Sequence, residues 1–244
     1  MELFTEIVCI AVVSLIGLWI LRWLSALSLI ALWEGRKKRH GLLPTEESNK
    51  LEKERSKGKP RFRQWFPYSF YSGLYRWTVF SVARINLTFV RLFIYRHVFK
   101  MSIGKGVAIH KGLEIRGGAF ITIEDGTIIG DDCLLDGRGG LTIGKNVNIS
   151  SKASIYTAQH DYNDPNFAGC FGPVSIGQRA WISSNTVVLP GTTIGGGSVL
   201  AAGAVAHGHL EDYCLFGGVP AKKIRDRRHD LDYDFSKEHQ IFFN

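Results

Sequence analysis

Aliphatic residues return every six positions through the second half of the chain. Two slips of two residues and one interruption divide the series, whose members are Ile103, Ile109, Ile115, Ile121, Ile123, Ile129, Leu135, Leu141, Ile143, Ile149, Ile155, Ile176, Ile182, Val188, Ile194 and Leu200. Gly, Asn, Asp and Ser crowd the intervening positions, and they tolerate the left-handed backbone conformations of tight corners. A six-residue step predicts a coil with three flat faces, each presenting one aliphatic residue inward. About five or six turns fit between Ile103 and Ala206, with three steps to a turn.

An apolar run at residues 7–33 precedes this domain and is broken by a single charge, Arg22. A run of this length can cross a hydrocarbon core of about 30 Å, so residues 1–40 are predicted to form a membrane helix that anchors the chain. Arg22 is costly in lipid, which leaves open a re-entrant hairpin or a helix lying partly in the interface. A cleaved signal peptide fits less well, because no basic segment precedes the run and it is longer than a typical signal core.

Two further segments separate this run from the repeat. Residues 41–64 are polar and charged, and are predicted to be a linker. Residues 65–102 mix aromatic residues with arginines at helical spacing, which predicts amphipathic helices. One alternative for these helices is a cap on the domain that follows. The other is a position on the membrane surface with arginines facing lipid phosphates, namely Arg76, Arg84, Arg91 and Arg96.

The formal net charge is +8, and all of the basic excess lies in residues 1–100. Basic residues beside an apolar segment indicate an anionic membrane surface rather than a nucleic acid. These residues follow the apolar run, whereas Glu2 and Glu6 are the charged residues before it. The asymmetry predicts that the rest of the chain lies on the cytoplasmic face of a bacterial-type inner membrane. The cysteines show neither disulfide nor zinc-ligand spacing, which fits a reducing compartment.

Two segments resemble the hexapeptide-repeat acyltransferases. Residues 181–195, WISSNTVVLPGTTIG, look like the C-terminal block of that family, and residues 217–224, GGVPAKKI, are similar to the segment that closes its solenoid. The resemblance covers residues 103–225 and is greatest to the maltose and galactoside O-acetyltransferases and their polysaccharide-modifying relatives. It implies an all-β domain at residues 103–215, a left-handed parallel β-helix, followed by a C-terminal tail at residues 216–244. It also implies a homotrimer that uses acetyl-CoA as co-substrate and needs no metal.

The long interruption of the repeat, residues 156–173, is the predicted site. Insertions in a solenoid tend to carry function, although a histidine in a loop is ordinarily a solvated side chain. The run that opens the interruption, YTAQHD, resembles the family motif that ends in the catalytic histidine, which implies His160 as the base. Neutral imidazole can take the proton of a sugar hydroxyl while its oxygen attacks a thioester. A backbone N–H of a neighbouring coil is expected to stabilise the oxyanion.

The resemblance implies direct transfer without an acyl-enzyme. This agrees with the sequence positions of the cysteines, none of which adjoins His160: Cys9, Cys133, Cys170 and Cys214. Further acceptor-binding candidates are Asp136, Tyr156 and Asp161. Asp136 is equally well explained as a corner residue that caps a turn. Asp161 is a weak candidate for orienting the imidazole, because adjacent side chains on an extended chain point apart.

The candidates for coenzyme A binding also come from the resemblance, and they are Trp181, Ser183, Ala202, Lys222 and Lys223. The two lysines are equally well explained as surface charge. Ser183 stands where the family usually has glycine, which implies a different channel wall. Residues 206–209, AHGH, replace a Thr-Lys pair of the family, which puts that part of coenzyme recognition in doubt. A metal on His207 and His209 is less expected than a solvated pair.

The sequence therefore predicts a CoA-dependent O-acetyltransferase acting on a hydroxyl of a membrane-associated glycan or lipid-linked sugar. A soluble sugar gives no reason for an anchor, and a cytoplasmic site has access to acetyl-CoA. Two alternatives are an N-acetyltransferase of an amino sugar and a non-catalytic trimeric scaffold. A β-helix of the carbonic anhydrase type needs three histidines on one zinc, and the histidines of the repeat region do not share a register. They are His110, His160, His207 and His209.

Overall fold

The computed structural model describes residues 2–39 and 62–235. Within these residues three helices come first, followed by a 3-10 turn at Gly118–Phe120 within the β domain. The helices are α1 (Glu2–Arg39), α2 (Phe62–Ala83) and α3 (Thr88–His97). The predicted linker lies outside the described residues, except that its last three residues belong to α2.

The predicted membrane helix coincides with α1, whose backbone is helical throughout the apolar run. Apart from Gly17, its side chains before residue 20 lie outside the described residues. Within the part of the chain that the structure describes, no helix is both long enough and apolar enough to cross a membrane. The predicted span is therefore not supported.

The β domain is a three-sided parallel solenoid built from three sheets, as a left-handed β-helix requires. Sheet 1 contains β1 (Ser102–Ile103), β4 (Ile121–Ile123), β7 (Leu141–Ile143), β12 (Val174–Ile176), β15 (Thr193–Ile194) and β18 (His209–Leu210). Sheet 2 contains β2 (Ala108–Ile109), β5 (Ile128–Ile129), β8 (Asn148–Ile149), β13 (Trp181–Ile182), β16 (Val199–Leu200), β19 (Cys214–Gly217) and the antiparallel β20 (Lys222–Asp226). Sheet 3 contains β3 (Glu114–Arg116), β6 (Leu134–Asp136), β9 (Ser154–Ile155), β14 (Val187–Val188) and β17 (Val205–Ala206).

The predicted register is confirmed. Ile103, Ile123 and Ile143 lie opposite one another on successive coils of sheet 1, and Ile176 and Ile194 continue the column. Every repeat position after the first is at most 2% exposed. The slips of two residues occur at β4 and β7, where both ends of a three-residue strand point inward. Residues two apart on a strand share a face, so such a strand buries two aliphatic side chains.

Helices α2 and α3 cover the first coils of the solenoid. Arg91 of α3 is fully buried, and its Nη2 donates to the carbonyl of Ile109 at 2.9 Å while Nη1 donates to the carbonyl of Ile85. Arg96 Nη2 donates to the carbonyl of Gly104 at 2.9 Å. The helices thus form the cap that was one of the two alternatives. The other alternative, arginines facing lipid phosphates, does not hold for Arg91 and Arg96, because their guanidinium groups bind backbone carbonyls of the protein.

The C-terminal half of α1 packs on α2 and on the solenoid. Glu34 is fully buried; its Oε1 accepts a hydrogen bond from the Tyr71 hydroxyl at 3.0 Å, and its Oε2 accepts one from the Ala119 N–H at 3.2 Å. Burial, together with the Glu34 carboxylate, raises the pKa of both Tyr71 and Tyr75. The predicted anchor is therefore joined to the solenoid through its second half.

The predicted C-terminal tail begins inside β19 and includes β20, which pairs with β19. Beyond β20, Arg227 Nη1 donates to the carbonyl of Gly197 at 2.8 Å, and the Phe235 N–H donates to Asn146 Oδ1 at 3.1 Å. Residues 216–235 therefore run back along the solenoid. Residues 236–244 lie outside the described part of the chain.

Candidate active site

The long interruption of the repeat folds into an antiparallel hairpin of β10 (Ala158–His160) and β11 (Gly169–Phe171). Its loop is held by backbone groups: Asp161 Oδ1 accepts from the Asn163 N–H at 3.0 Å, and Asp164 Oδ1 accepts from the Asn166 N–H at 2.8 Å. Short polar side chains that bind the backbone two residues onward stabilise such turns. The loop therefore has a defined shape, and His160 lies where the loop joins the hairpin strands.

The exposed imidazole of His160 is oriented by the opposite side of this loop. Its Nδ1 lies 2.7 Å from the carbonyl oxygen of Phe167, and the two rings are stacked at 4.3 Å with 9° between their planes. A carbonyl oxygen only accepts, so Nδ1 is the donor and carries the proton of the neutral ring. Nε2 is then left with a lone pair, which is the form that a general base needs.

Sequence reasoning missed the role of Phe167. The contact comes from its backbone carbonyl, and the identity of a side chain carries no signal for such a contact. The described bond of Asp161 goes to Asn163 in the loop, so the observed orientation of the imidazole comes from Phe167.

Cys170 lies closer to His160 than its position in the sequence indicates. It pairs with Gln159 across the hairpin, one residue from the pair of His160 and Gly169. Neighbouring residues on a strand point to opposite faces, so the side chains of Cys170 and His160 leave the hairpin on different sides. Direct transfer without an acyl-enzyme therefore stays the expectation.

Asp136 occupies a buried corner of the solenoid. Its carboxylate is fully buried and accepts hydrogen bonds from the Arg138 backbone N–H at 3.0 Å, from Arg138 Nε and Nη2 at 2.9 Å each, and from the Thr157 N–H at 3.4 Å. These contacts match the alternative in which Asp136 caps a turn. The bond to Thr157 also ties this corner to the segment that leads to His160.

Tyr156 stands beside Asp136 in a column of three residues on sheet 3. Arg116 pairs with Asp136, and Leu135 pairs with Ile155, so Tyr156 is the next residue of the column. The guanidinium carbon of Arg116 lies 5.8 Å from the centre of the half-buried Tyr156 ring. The column runs from the first coil of sheet 3 to the start of the hairpin.

The coenzyme candidates gather at the edge of sheet 2 that faces sheet 3. Ile182, Leu200 and Phe216 are opposite one another, so the residues after them line the same edge on successive coils. Ser183 is one of these residues, Ala202 lies one residue beyond Ala201, and Lys222 pairs with Gly217, the residue after Phe216. Trp181 is the first residue of β13. The Trp181 ring is 44% exposed and its Nε1 donates to Ser150 Oγ at 3.0 Å. Structure thus brings these predicted residues together.

The two lysines differ in their surroundings. Lys223 Nζ binds Glu211 at 3.0 Å and Asp226 at 2.8 Å, and these carboxylates raise the pKa of Lys223. Lys222 is exposed and has no ion-pair partner among the described residues. Of the two lysines, Lys222 is the better candidate for binding a phosphate of coenzyme A, because its ammonium group is not already paired with two carboxylates.

His160 and the coenzyme candidates lie at opposite edges of sheet 3. The hairpin that carries His160 leaves the solenoid after β9, between sheets 3 and 1, whereas Ser183 follows β13, between sheets 2 and 3. A single chain therefore does not place His160 beside the edge that carries the coenzyme candidates, here called the coenzyme edge. Over residues 2–39 and 62–235, no group of three or more His, Cys, Asp or Glu side chains is arranged to hold a metal ion.

A three-sided parallel solenoid with a histidine on its long hairpin is the arrangement expected of the hexapeptide-repeat acyltransferases. The profile of the family "Bacterial transferase hexapeptide (six repeats)" matches residues 173–208. The "Putative colanic acid biosynthesis acetyltransferase WcaF" of Escherichia coli (strain K12) is 33% identical over 150 residues, which are 62% of this chain and 82% of the relative. The "Putative lipopolysaccharide biosynthesis O-acetyl transferase WbbJ" of the same strain is 32% identical over 145 residues, 53% of this chain and 74% of the relative.

Two solved structures share the fold. A hexapeptide-repeat acetyltransferase of Vibrio cholerae O1 biovar eltor, complexed with acetyl-CoA, is 28% identical with a TM-score of 0.57, over 60% of this chain and 81% of that one. A maltose O-acetyltransferase of Clostridium difficile 630 is 25% identical with a TM-score of 0.59, over 64% and 86% of the two chains. The chain belongs to the hexapeptide-repeat acetyltransferases. It is an acyltransferase, as the resemblance of its motifs predicted.

Proposed function

We propose that the protein transfers an acetyl group from acetyl-CoA to a hydroxyl of a membrane-associated glycan or lipid-linked sugar. The observation that carries the proposal is the imidazole of His160, whose Nδ1 donates to the Phe167 carbonyl and whose Nε2 is left as the base. The relatives support the substrate class by name, since one is assigned to colanic acid and the other to lipopolysaccharide biosynthesis. The Vibrio cholerae relative supports the donor, because its structure contains acetyl-CoA.

The transfer needs one base and no covalent intermediate on the protein. Nε2 of His160 takes the proton of the acceptor hydroxyl as its oxygen attacks the thioester carbon. The tetrahedral intermediate then collapses, the carbon–sulfur bond breaks, and the thiolate of coenzyme A takes the proton from the imidazolium. The products are an acetyl ester, free coenzyme A and a neutral His160 that is ready for the next turnover.

The active site is proposed to lie between neighbouring chains of a homotrimer. In one chain the base and the coenzyme edge are separated by the width of sheet 3. A three-fold arrangement of prisms can set the sheet 3–sheet 1 corner of one chain against the sheet 2–sheet 3 corner of the next. His160 of one chain would then face Trp181, Ser183, Ala202 and Lys222 of its neighbour.

Membrane attachment is proposed to use the outer face of the layer that α1, α2 and α3 form on the solenoid, here called the helical layer. Large apolar side chains on α1, α2 and α3 are between 41% and 64% exposed, and an apolar surface of this extent indicates contact with a membrane or a protein. The substitutions Leu21→Ser, Leu24→Ser and Leu32→Ser together should reduce co-flotation of the protein with anionic vesicles, whereas Ile224→Ser should not. Equal flotation of both variants would contradict attachment through this face.

The cytoplasmic face of an inner membrane is the proposed location, since acetyl-CoA is present there.

The proposed reaction is tested with His160→Ala. The variant should lose at least about a hundredfold in acetyl transfer, because a positioned base contributes about 10² to 10⁴ to the rate. The assay is release of free coenzyme A together with mass spectrometry of glycans from cells that express each variant. His97→Ala, which removes an exposed histidine of α3, is the matched control.

Two outcomes would contradict the proposal. Full transfer by His160→Ala would favour the scaffold alternative or another base. An added acetyl group that survives mild alkali would be an amide, which would favour transfer to an amino sugar over transfer to a hydroxyl.

A further inference from the structure

A cleft of about 520 Å³ lies between the helical layer and sheet 3. It is lined on one side by α1 and α2 and on the other by β3 and the corner after β6. Nothing in the proposed acetyl transfer uses it. Its two walls differ in chemistry, and the difference indicates the kind of molecule that fits.

The helical wall is aromatic and opens onto an apolar surface. Trp33 and Phe80 line the cleft and are 41% and 42% exposed. Leu29 precedes Trp33 by one helical turn and is 53% exposed, so the apolar surface continues along α1 away from the cleft. Such a surface suits an acyl or prenyl chain better than it suits a sugar.

Arginine donors line the cleft on both sides, Arg116 on sheet 3 and Arg76 on α2. Arg116 uses Nε and Nη2 to bind Glu114 at 2.9 Å each, and its Nη1 has no hydrogen-bond partner within the described chain. Arg76 of α2 also lines the cleft, is exposed, and makes neither a hydrogen bond nor an ion pair with any described residue. Guanidinium groups whose N–H donors are not all used within the protein can bind phosphate oxygens through charge-assisted hydrogen bonds.

The cleft is connected to the proposed reaction centre through sheet 3. Arg116 stands two coils before Tyr156 in one column, which is roughly 10 Å at the spacing of parallel strands. The side chain of Arg116 covers part of this distance, because it reaches the Tyr156 ring. Tyr156 is followed four residues later by His160. A molecule held in the cleft can therefore extend toward the base along the surface of sheet 3.

We infer that the cleft holds the phosphate or diphosphate of a lipid-linked saccharide. The inference rests on the proposed function and narrows its acceptor from any membrane-associated glycan to a sugar joined to a lipid through phosphate. The phosphate binds Arg76 and Arg116, the lipid lies against Trp33, Phe80 and the outer face of α1, and the sugar extends toward His160. The helical layer then selects the acceptor as well as holding the enzyme at the membrane.

The binding test uses the full chain in detergent and farnesyl diphosphate as the probe, with titration calorimetry as the readout. Arg76→Ala and Arg116→Ala should each weaken binding by about tenfold or more, since each removes charge-assisted hydrogen bonds. Arg76→Lys should retain part of the affinity. Arg84→Ala, at an exposed arginine just beyond α2, should bind like the unaltered protein. Inorganic diphosphate and UDP-glucose are titrated in parallel, and both should bind at least tenfold more weakly than farnesyl diphosphate.

Three results would overturn the inference. Equal affinity for inorganic diphosphate would show a plain anion site, and higher affinity for UDP-glucose would show a nucleotide-sugar site. Displacement of the probe by phosphatidate micelles at equal concentration would show a site for lipid headgroups. The proposed function fails separately. His160→Ala should bind farnesyl diphosphate normally, and if it also transferred acetyl groups normally, only the proposed reaction would be wrong.

Discussion

At the scale of single residues, the candidate site depends on polar groups whose partners come from the same loop or corner and from the next coil. His160 receives its orientation from a carbonyl across the hairpin, and Asp136 receives its hydrogen bonds from residues on its own corner and on the next coil. In both cases a backbone group makes one of the hydrogen bonds that hold the side chain. The proposed tautomer of His160 and the hydrogen bonds of Asp136 therefore both require the folded chain.

The pair of Asp136 and Arg138 yields a prediction for stability. Arg138→Ala leaves the fully buried Asp136 carboxylate with backbone donors alone, so the variant should lose about 1–3 kcal/mol in free energy of unfolding. Arg116→Ala, whose partner Glu114 is partly exposed, should lose less than about 1 kcal/mol. Urea unfolding followed by circular dichroism measures both. Equal losses would show that the burial of Asp136 does not matter.

At the scale of elements, the sequence predicts the solenoid and the presence of the helices, but not the surface against which the helices pack. The solenoid repeats one physical demand, an aliphatic side chain facing inward, so a count of Ile103, Ile109 and their successors locates nearly every strand. An amphipathic helix presents an apolar face that fits a lipid surface and a protein surface equally well. The pattern of residues 65–102 therefore could not decide between membrane and cap.

The candidate site was predictable in part for the same reason. The interruption of the repeat and its motif indicated His160. The coenzyme candidates came from the resemblance to the family and not from the spacing of the repeat. The cleft was not predictable, because its walls come from α1, α2 and β3, which are brought together only by tertiary packing.

Arg91 shows what the cap contributes to the solenoid. Its guanidinium satisfies the carbonyls of Ile85 and Ile109, and burial lowers the pKa of the side chain. Arg91→Met would leave these two carbonyls without their donor, so we expect a loss of about 1–3 kcal/mol for each, the usual cost of an unsatisfied buried polar group. The melting temperature should fall by many degrees. Arg84→Met should leave it nearly unchanged, and a small loss in Arg91→Met would mean that water or a shifted helix replaces the guanidinium.

At the scale of the whole molecule, two surfaces converge on the proposed reaction. The helical layer supplies the cleft and the proposed membrane contact, and the solenoid supplies His160 and the coenzyme edge. Sheet 3 lies between His160 and the coenzyme edge, and it also carries the column from Arg116 to Tyr156. An acceptor that enters from the membrane side and a coenzyme that binds along a neighbouring chain would therefore meet at the hairpin.

An active site shared between chains can be detected by mixing two inactive variants. His160→Ala removes the base, and Trp181→Ala combined with Lys222→Ala removes the coenzyme edge, so each protein alone should be inactive. In mixed trimers a site regains activity when an intact base from one chain faces an intact edge from the next. Equal co-expression should then restore about one quarter of the unaltered activity, because each half is intact with a probability of one half.

The control for this experiment is co-expression of two differently tagged copies of His160→Ala, which should stay inactive. If base and edge came from the same chain, every mixed trimer would contain only defective sites and no activity would return. Light scattering on the purified mixture checks that trimers form. A trimer without restored activity would contradict the shared site but not the oligomer, whereas an active monomer would contradict both.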